Sequence, residues 1–238
     1  MIVRFILVGI EGSFNLGLIA RTCMNFKIDE LFIVESRVDL SEAFKYAANA
    51  YSYLSKAIFT DCLTSALKNC DLIVATSAIG YSPGDVVRQA ISIEEFVENI
   101  RGFNGRLAVL FGRESTGLTR NEISKADILV TIPANPEYSV LNISQSVAII
   151  AWELWKLREL KAVNIPPKAS RDEIDQLNKL IYSVSHELFK TIDKIERLQT
   201  VWRRVLYRSH LSKYECKLLE YWFRRLNNKL KRTNKNIS

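Results

Sequence analysis

Leu107-Ala-Val-Leu-Phe-Gly-Arg-Glu-Ser-Thr-Gly-Leu118, followed by Asp127-Ile-Leu-Val-Thr-Ile-Pro133 and Tyr138-Ser-Val-Leu-Asn-Ile-Ser-Gln-Ser146, contains two short apolar runs that each end in a polar loop. Each loop holds Gly or Pro and leads into a helical pattern. Parallel α/β sheets present ligand loops at strand ends in this way. Gly112 lets backbone approach a ligand closely, while Arg113 and Glu114 set opposite charges beside it. The segment reads as a site rather than a turn.

The same pattern extends through the N-terminal part. Residues 2–8, 30–34, 72–76, 107–111 and 128–132 read as strands, with a shorter one at 57–59, and helical periodicity is strongest over 16–26, 93–100 and 141–157. This alternation predicts an α/β fold, a mainly parallel sheet with helices on both faces. Ser92/Glu95, Thr119/Glu122, Ser170/Glu173 and Ser212/Glu215 have capping-box spacing and mark helix starts. Gly9-Ile-Glu-Gly12 lacks the Gly-x-Gly-x-x-Gly of a dinucleotide turn, and no Gly-Lys-Ser/Thr exists for a P-loop.

With 238 residues, nearly half of them apolar, the chain can hold one α/β domain and an appendage. No apolar run approaches the roughly 18 residues that span a bilayer, and the start has no leader pattern, so a cytoplasmic protein is expected. Cys23, Cys62, Cys70 and Cys216 have no Cys-x-x-Cys spacing and lie far from His186 and His210, so no metal site is read and the thiols are taken as free and largely structural.

Charge divides unevenly. Residues 1–158 hold 15 Lys/Arg against 17 Asp/Glu, and residues 159–238 hold 18 against 9, so the net charge of +7 resides in the tail. That asymmetry suggests a catalytic body with an electrostatic handle for a polyanion, the alternative being a solvated helical surface. Pro166-Pro167 mark a linker over 159–170. Beyond it, Ile174, Leu177, Leu180, Ile181, Val184, Leu188, Ile192 and Ile195 repeat at helical spacing, and further helix is expected from 202 to 230 before a fraying basic tail. Residues 171–238 thus read as a basic helical extension, in which Arg203, Arg204 and Arg208 are assigned to the phosphates of the polyanion and Trp202, Val205, Leu206, Leu218, Leu219, Trp222 and Phe223 to packing.

Asn15-Leu-Gly-Leu-Ile-Ala-Arg21, Phe111-Gly-Arg-Glu-Ser-Thr-Gly-Leu118, and Ile132-Pro133 with Leu141-Asn-Ile-Ser144 resemble the motifs of the SPOUT family of RNA methyltransferases, within it the SpoU/TrmH branch that methylates ribose 2′-hydroxyls. The likeness covers the first two-thirds of the chain. The segment from Trp202 to Glu215 further resembles the helical extension of TrmJ-type tRNA methyltransferases. The resemblance implies a C-terminal trefoil knot in the α/β domain of residues 1–158, a C2 homodimer using helices 16–26 and 141–157, S-adenosyl-L-methionine as cofactor, and tRNA rather than DNA or a membrane as partner. It also implies 2′-O-methylation of nucleotide 32, cytidine or uridine, in the anticodon loop. A SpoU-type enzyme acting elsewhere on tRNA or on rRNA, and a non-catalytic RNA-binding homologue, are the alternatives.

By the same resemblance, three loops hold the cofactor: Thr76, Ser77 and Ala78; Gly112, Arg113 and Glu114; and Ile132 and Pro133 with Leu141 and Asn142. Arg21 matches the motif-one arginine near the methyl group and target nucleotide. Arginine is a poor base, so its expected role is to grip phosphate and orient the 2′-hydroxyl. Asn15 holds the loop or contacts RNA and Glu114 orients Arg21 or the cofactor, a helix cap being the alternative for either, and Arg113 contacts RNA as well as cofactor. Relatives often have serine directly before Leu-Asn, where this chain has Val140; Ser139, a catalytic candidate, is displaced by one.

Overall fold

A strand built of Val, Phe, Ile and Leu with no polar alternation is stable only if both its faces are covered. The first strand, β1 (Ile2–Val8), is of this kind apart from Arg4, and six of its seven residues are buried. The computed structural model describes residues 1–158 and 165–235 and divides into two units, Met1–Leu160 and Lys161–Ser238.

After β1 the first unit continues with α1 (Ser13–Asn25), β2 (Glu30–Val34), α2 (Leu40–Ala47), α3 (Tyr51–Leu54), β3 (Ile58–Thr60), α4 (Leu63–Ala66) and β4 (Leu72–Thr76). It ends with β5 (Ile91–Ser92), α5 (Ile93–Asn99), β6 (Arg106–Phe111), α6 (Arg120–Ile123), β7 (Ile128–Thr131) and α7 (Ile143–Leu157). The seven strands form one parallel sheet in the order β3-β2-β1-β6-β4-β7-β5. Phe5, Leu7, Val109 and Phe111 pack on one side against Leu16, Ile19 and Cys23 of α1 and Val147, Ile150 and Leu154 of α7. Ile6, Val8, Ala108 and Leu110 pack on the other against Leu63, Leu118 and Ile123.

The α/β reading of the sequence agrees with this sheet, with differences at its edges. Ile132 follows β7 rather than belonging to it, and α1 starts at Ser13, three residues before the expected start. The two-residue β5 and the helix α2 had no periodic signal. Close packing of α1 on α2 requires Gly17, where a Cβ would sit 2.5 Å from Tyr46 Cβ and 2.7 Å from the Ala43 carbonyl oxygen.

Among its described residues the second unit has the helices α8 (Arg171–Leu188), α9 (Ile192–Arg208) and α10 (Lys213–Lys235). Its core contains Ile174, Leu177, Ile181, Val184, Leu206, Cys216 and Phe223. Three expectations are corrected. The periodic run 174–195 is broken after Leu188, where Phe189 is extended and Ile192 starts a new helix. Trp222 and Leu218 are exposed rather than core, with Val205 also on the surface, because the narrow apolar stripe of α10 faces inward along Cys216, Leu219 and Phe223. The basic end is helical as far as Lys235. Of the expected linker, residues 159–164 lie outside the described residues. Its end is built into the helical unit: Ala169 N donates to the Leu211 carbonyl at 2.9 Å, and the Pro167 carbonyl accepts from Lys213 N at 2.8 Å.

Candidate active site

Register determines where the loops meet. Ala75 of β4 pairs with Leu110 of β6, and Thr76 pairs with Val130 of β7, so these neighbouring strands end together and their C-terminal loops converge. Open α/β sheets bind ligands outside the carboxyl ends of their strands. A cavity of about 530 Å³ lies there, lined by Thr76, Ser77 and Ala78 after β4, by Gly112, Arg113 and Glu114 after β6, and by Ile132, Ser139, Leu141 and Asn142 after β7. Its size and its walls of Phe111, Leu118, Val130 and Leu141 suit a cofactor-sized ligand with an apolar ring. Pro133, expected with Ile132, is exposed and does not line it. Arg88, Tyr138 and Ser146 also line the cavity and were not expected; Arg88 sits in a polar stretch with no periodicity to mark it.

The loop after β6 is closed on itself. Arg113 N donates to the Gly117 carbonyl at 3.2 Å and Gly117 N to the Arg113 carbonyl at 2.9 Å, with Gly117 at φ +68°. A Cβ on Gly112 would lie 2.2 Å from Gly117 C and Leu118 N. The sequence assigned Gly112 to backbone approach by a ligand; the atoms that approach it are those of its own loop. Arg113 is likewise engaged within the protein: both terminal nitrogens donate to Glu122 at 3.1 to 3.2 Å, and Nη2 reaches Glu35 at 3.5 Å. Glu122 is itself fixed as the reciprocal partner of Thr119 in the capping box of α6. The guanidinium expected to meet cofactor or RNA is thus committed to two carboxylates.

Glu114 has an internal role too. Its Oε1 accepts from Asn15 Nδ2 at 2.8 Å and Gly12 N at 3.1 Å, and its Oε2 from Glu11 N at 2.9 Å. Gly12 has no side chain to cap α1, so this carboxylate supplies the negative charge that a helix start attracts. Glu11 reciprocates, accepting from Ser115 Oγ at 2.7 Å and Ser115 N at 3.1 Å. The expected Glu114–Arg21 pairing is absent among the described residues. Arg21 is exposed on α1, six residues beyond Asn15, and does not line the cavity.

Other expected contacts are partly occupied. The Thr76 hydroxyl donates to the Leu110 carbonyl at 2.8 Å, tying β4 to β6, and Ser77 Oγ forms a local turn with Ile79. Asn142 caps α7, its Oδ1 accepting from Ser144 N and Oγ, both at 2.8 Å, and Gln145 completes the box. This leaves backbone groups and the Asn142 amide nitrogen for a ligand. Ser139 lines the cavity despite its displaced position, beside Val140 at the rim.

In the second unit, Arg203 and Arg204 line a separate cleft of about 420 Å³ with Arg171, Thr200 and Tyr207. Arg171 lies over the Tyr207 ring at 5.4 Å, and the Tyr207 hydroxyl donates to Asp175 at 2.7 Å. Arg208 lies outside this cleft, with Nε donating to the Arg204 carbonyl. The four cysteines are free; among the described residues no cluster of His, Cys, Asp or Glu has metal-binding geometry, and no helix is long and apolar enough to cross a membrane.

The profile of the SpoU rRNA Methylase family matches residues 2–152. The chain belongs to the SpoU rRNA Methylase family. As a SpoU methylase it is a methyltransferase, and its relatives are consistent with this. The tRNA (cytidine-2′-O-)-methyltransferase TrmJ of Sulfolobus acidocaldarius is 40% identical over 185 residues, 77% of each chain. The enzyme of the same name from Methanocaldococcus jannaschii is 30% identical over 225 residues, 91% of this chain and 96% of that one. Among solved structures, TrmJ from Z. mobilis ZM4 shares the fold with a TM-score of 0.66 at 24% identity, over 95% of this chain and 100% of that one. The AdoMet-bound rRNA methyltransferase from Sinorhizobium meliloti shares it with a TM-score of 0.53 at 20% identity, over 67% and 57%.

Proposed function

We propose that this SpoU methylase is a homodimeric tRNA ribose 2′-O-methyltransferase that uses S-adenosyl-L-methionine and acts on nucleotide 32 of the anticodon loop, cytidine or uridine. The observation that carries the reading is the cavity at the ends of β4, β6 and β7, in a chain 40% identical to a tRNA (cytidine-2′-O-)-methyltransferase. Bound there, the cofactor would supply an electrophilic methyl group. Residues 76–78, the backbone after Phe111, and Ile132, Leu141 and Asn142 would hold it, in a trefoil knot formed where the segment before α7 returns to the ends of β4 and β6.

The chain's own groups then have distinct tasks. Leu118, Val130 and Leu141 exclude water from the adenine, while polar groups at the rim keep the reacting centre in one orientation; positioning of this kind supplies much of the rate of a transfer reaction. Glu114 fixes Asn15 and the start of α1 relative to the cavity. Arg21, further along α1, grips the RNA phosphate and orients the 2′-hydroxyl, and its exposure outside the lining of its own chain's cavity fits a site shared between protomers. Phe14 and Met24 on α1 and Trp152 on α7 are about half exposed, giving these packed helices an apolar surface for a second copy. The arginines of the second unit that make no ion pair among the described residues, Arg203, Arg204 and Arg208 among them, supply tRNA affinity.

Incubation with methyl-labelled cofactor, chelator and unmodified tRNA transcripts tests this. The expected product is 2′-O-methylcytidine or 2′-O-methyluridine, according to the base at that position, formed without added metal. Label on a base, or transfer to rRNA fragments and not to tRNA, contradicts the reading.

A further inference from the structure

Among the described residues, three charged side chains line the cavity: Arg88, Arg113 and Glu114. The last two are engaged by Glu122 and by Asn15 with the start of α1. Arg88 is different. Among the described residues it makes no ion pair, and its Nη1 reaches only neutral oxygens at the long limit of hydrogen bonding, Ser77 Oγ at 3.4 Å and the Ile79 carbonyl at 3.5 Å. Elsewhere in this unit Arg4, Arg101, Arg106, Arg120 and Arg158 pair with carboxylates, and the other arginines without an ion pair among the described residues, Arg21 and Arg37, are exposed to water. A half-buried guanidinium facing an apolar-walled cavity without a counter-charge is a site that an anion completes.

The segment that carries Arg88 is closed and braced. Tyr81 and Gln89 form an antiparallel bridge, Ser82 N donates to the Arg88 carbonyl at 3.2 Å, and Arg88 N donates to the Asp85 carbonyl at 3.1 Å. Ala90 N closes the base on the Gly80 carbonyl at 2.7 Å. The one carboxylate of this hairpin, Asp85, pairs with Arg120 of α6, which holds its pKa below the ordinary value and keeps it ionised. The backbone thus fixes Arg88 at the cavity, while the hairpin's own acid is engaged by Arg120.

We propose that Arg88 is the oxyanion-binding residue of the cavity, pairing with the carboxylate at the amino-acid end of the cofactor or with a phosphate of the RNA. Both anions match the paired donors of a guanidinium. The inference deepens the methyl-transfer reading and rests on it for the identity of the ligands.

Calorimetry on the full chain with S-adenosylhomocysteine and with 5′-methylthioadenosine, which keeps the nucleoside and thioether but has no carboxylate, separates the two sources when combined with anisotropy on an unmodified tRNA transcript. If the carboxylate is the partner, Arg88→Ala weakens S-adenosylhomocysteine binding by about tenfold to a hundredfold, the scale of lost charged hydrogen bonds, and leaves methylthioadenosine unchanged. If the phosphate is the partner, both nucleosides bind as before and tRNA affinity falls; Arg88→Lys restores part of either loss. Unchanged affinity for all three ligands overturns the proposal, as does an equal loss for methylthioadenosine, which assigns Arg88 to hairpin structure. Wild-type protein that binds S-adenosylhomocysteine but methylates no RNA sinks the methyl-transfer reading and leaves the cofactor arm intact. Wild-type protein that binds none of the three overturns both.

Discussion

The Glu114 carboxylate accepts a 2.8 Å hydrogen bond from the side-chain amide of Asn15, across 99 positions of sequence. With the reciprocal contact of Glu11 to Ser115, this fastens residues 113–117 to the start of α1, so the helix that carries Arg21 and the loop that lines the cavity move as one piece. Asn15→Asp replaces that donor with a second negative charge. We expect it to cost about 2 kcal/mol of stability, seen as a lowered Tm, and Glu114→Gln to cost less because one acceptor remains. Equal stability of both variants and wild type would show that the latch is dispensable.

Gly112→Ala is expected to be the more damaging of two glycine substitutions in this loop. Its Cβ would collide with backbone that has no rotamer to change, at a cost of about 1–3 kcal/mol and with loss of cofactor affinity. Gly117 has only a positive φ to satisfy, with open space around it, so Gly117→Asn should cost little. Urea unfolding and calorimetry of the two variants measure the difference.

In the second unit, Arg203→Glu with Arg204→Glu should lower tRNA affinity by more than tenfold. It should also flatten the slope of log K against log salt by about 0.7–0.9 for each phosphate that the variant no longer neutralises. Arg208→Glu should do less, because Arg208 lies outside the cleft and its Nε is held by the Arg204 carbonyl. Anisotropy across a salt series reads both quantities.

The thiols should react in a set order. Backbone N–H groups of Ser65 and Thr64 stabilise the Cys62 thiolate and lower its pKa, whereas burial pushes Cys23 up to about 12. Iodoacetamide near neutral pH should label exposed Cys62 first and leave Cys23 untouched until unfolding, as peptide mapping will show.

The sheet was legible because its strands are continuous apolar runs; β1, β2 and β4 have the bounds expected from sequence. The cavity loops were legible because they follow those runs. Which charges stay available there was not, since Arg113 and Glu122, or Glu114 and Asn15, meet only through tertiary folding. Arg88 was missed for the same reason: a short polar hairpin has no period to place it. The break at Phe189 escaped notice because Ile192 and Ile195 happen to continue the spacing of α8 across the new helix start.

The central claim is tested most directly by mapping the product. Unmodified tRNA transcript is incubated with S-adenosyl-L-methionine and either wild-type protein or Arg21→Ala, then digested and read by mass spectrometry. The account predicts one added methyl on the ribose of nucleotide 32 with wild-type protein, and none with Arg21→Ala although it retains cofactor affinity. A methyl at another nucleotide or on a base, or normal turnover by Arg21→Ala, would contradict it.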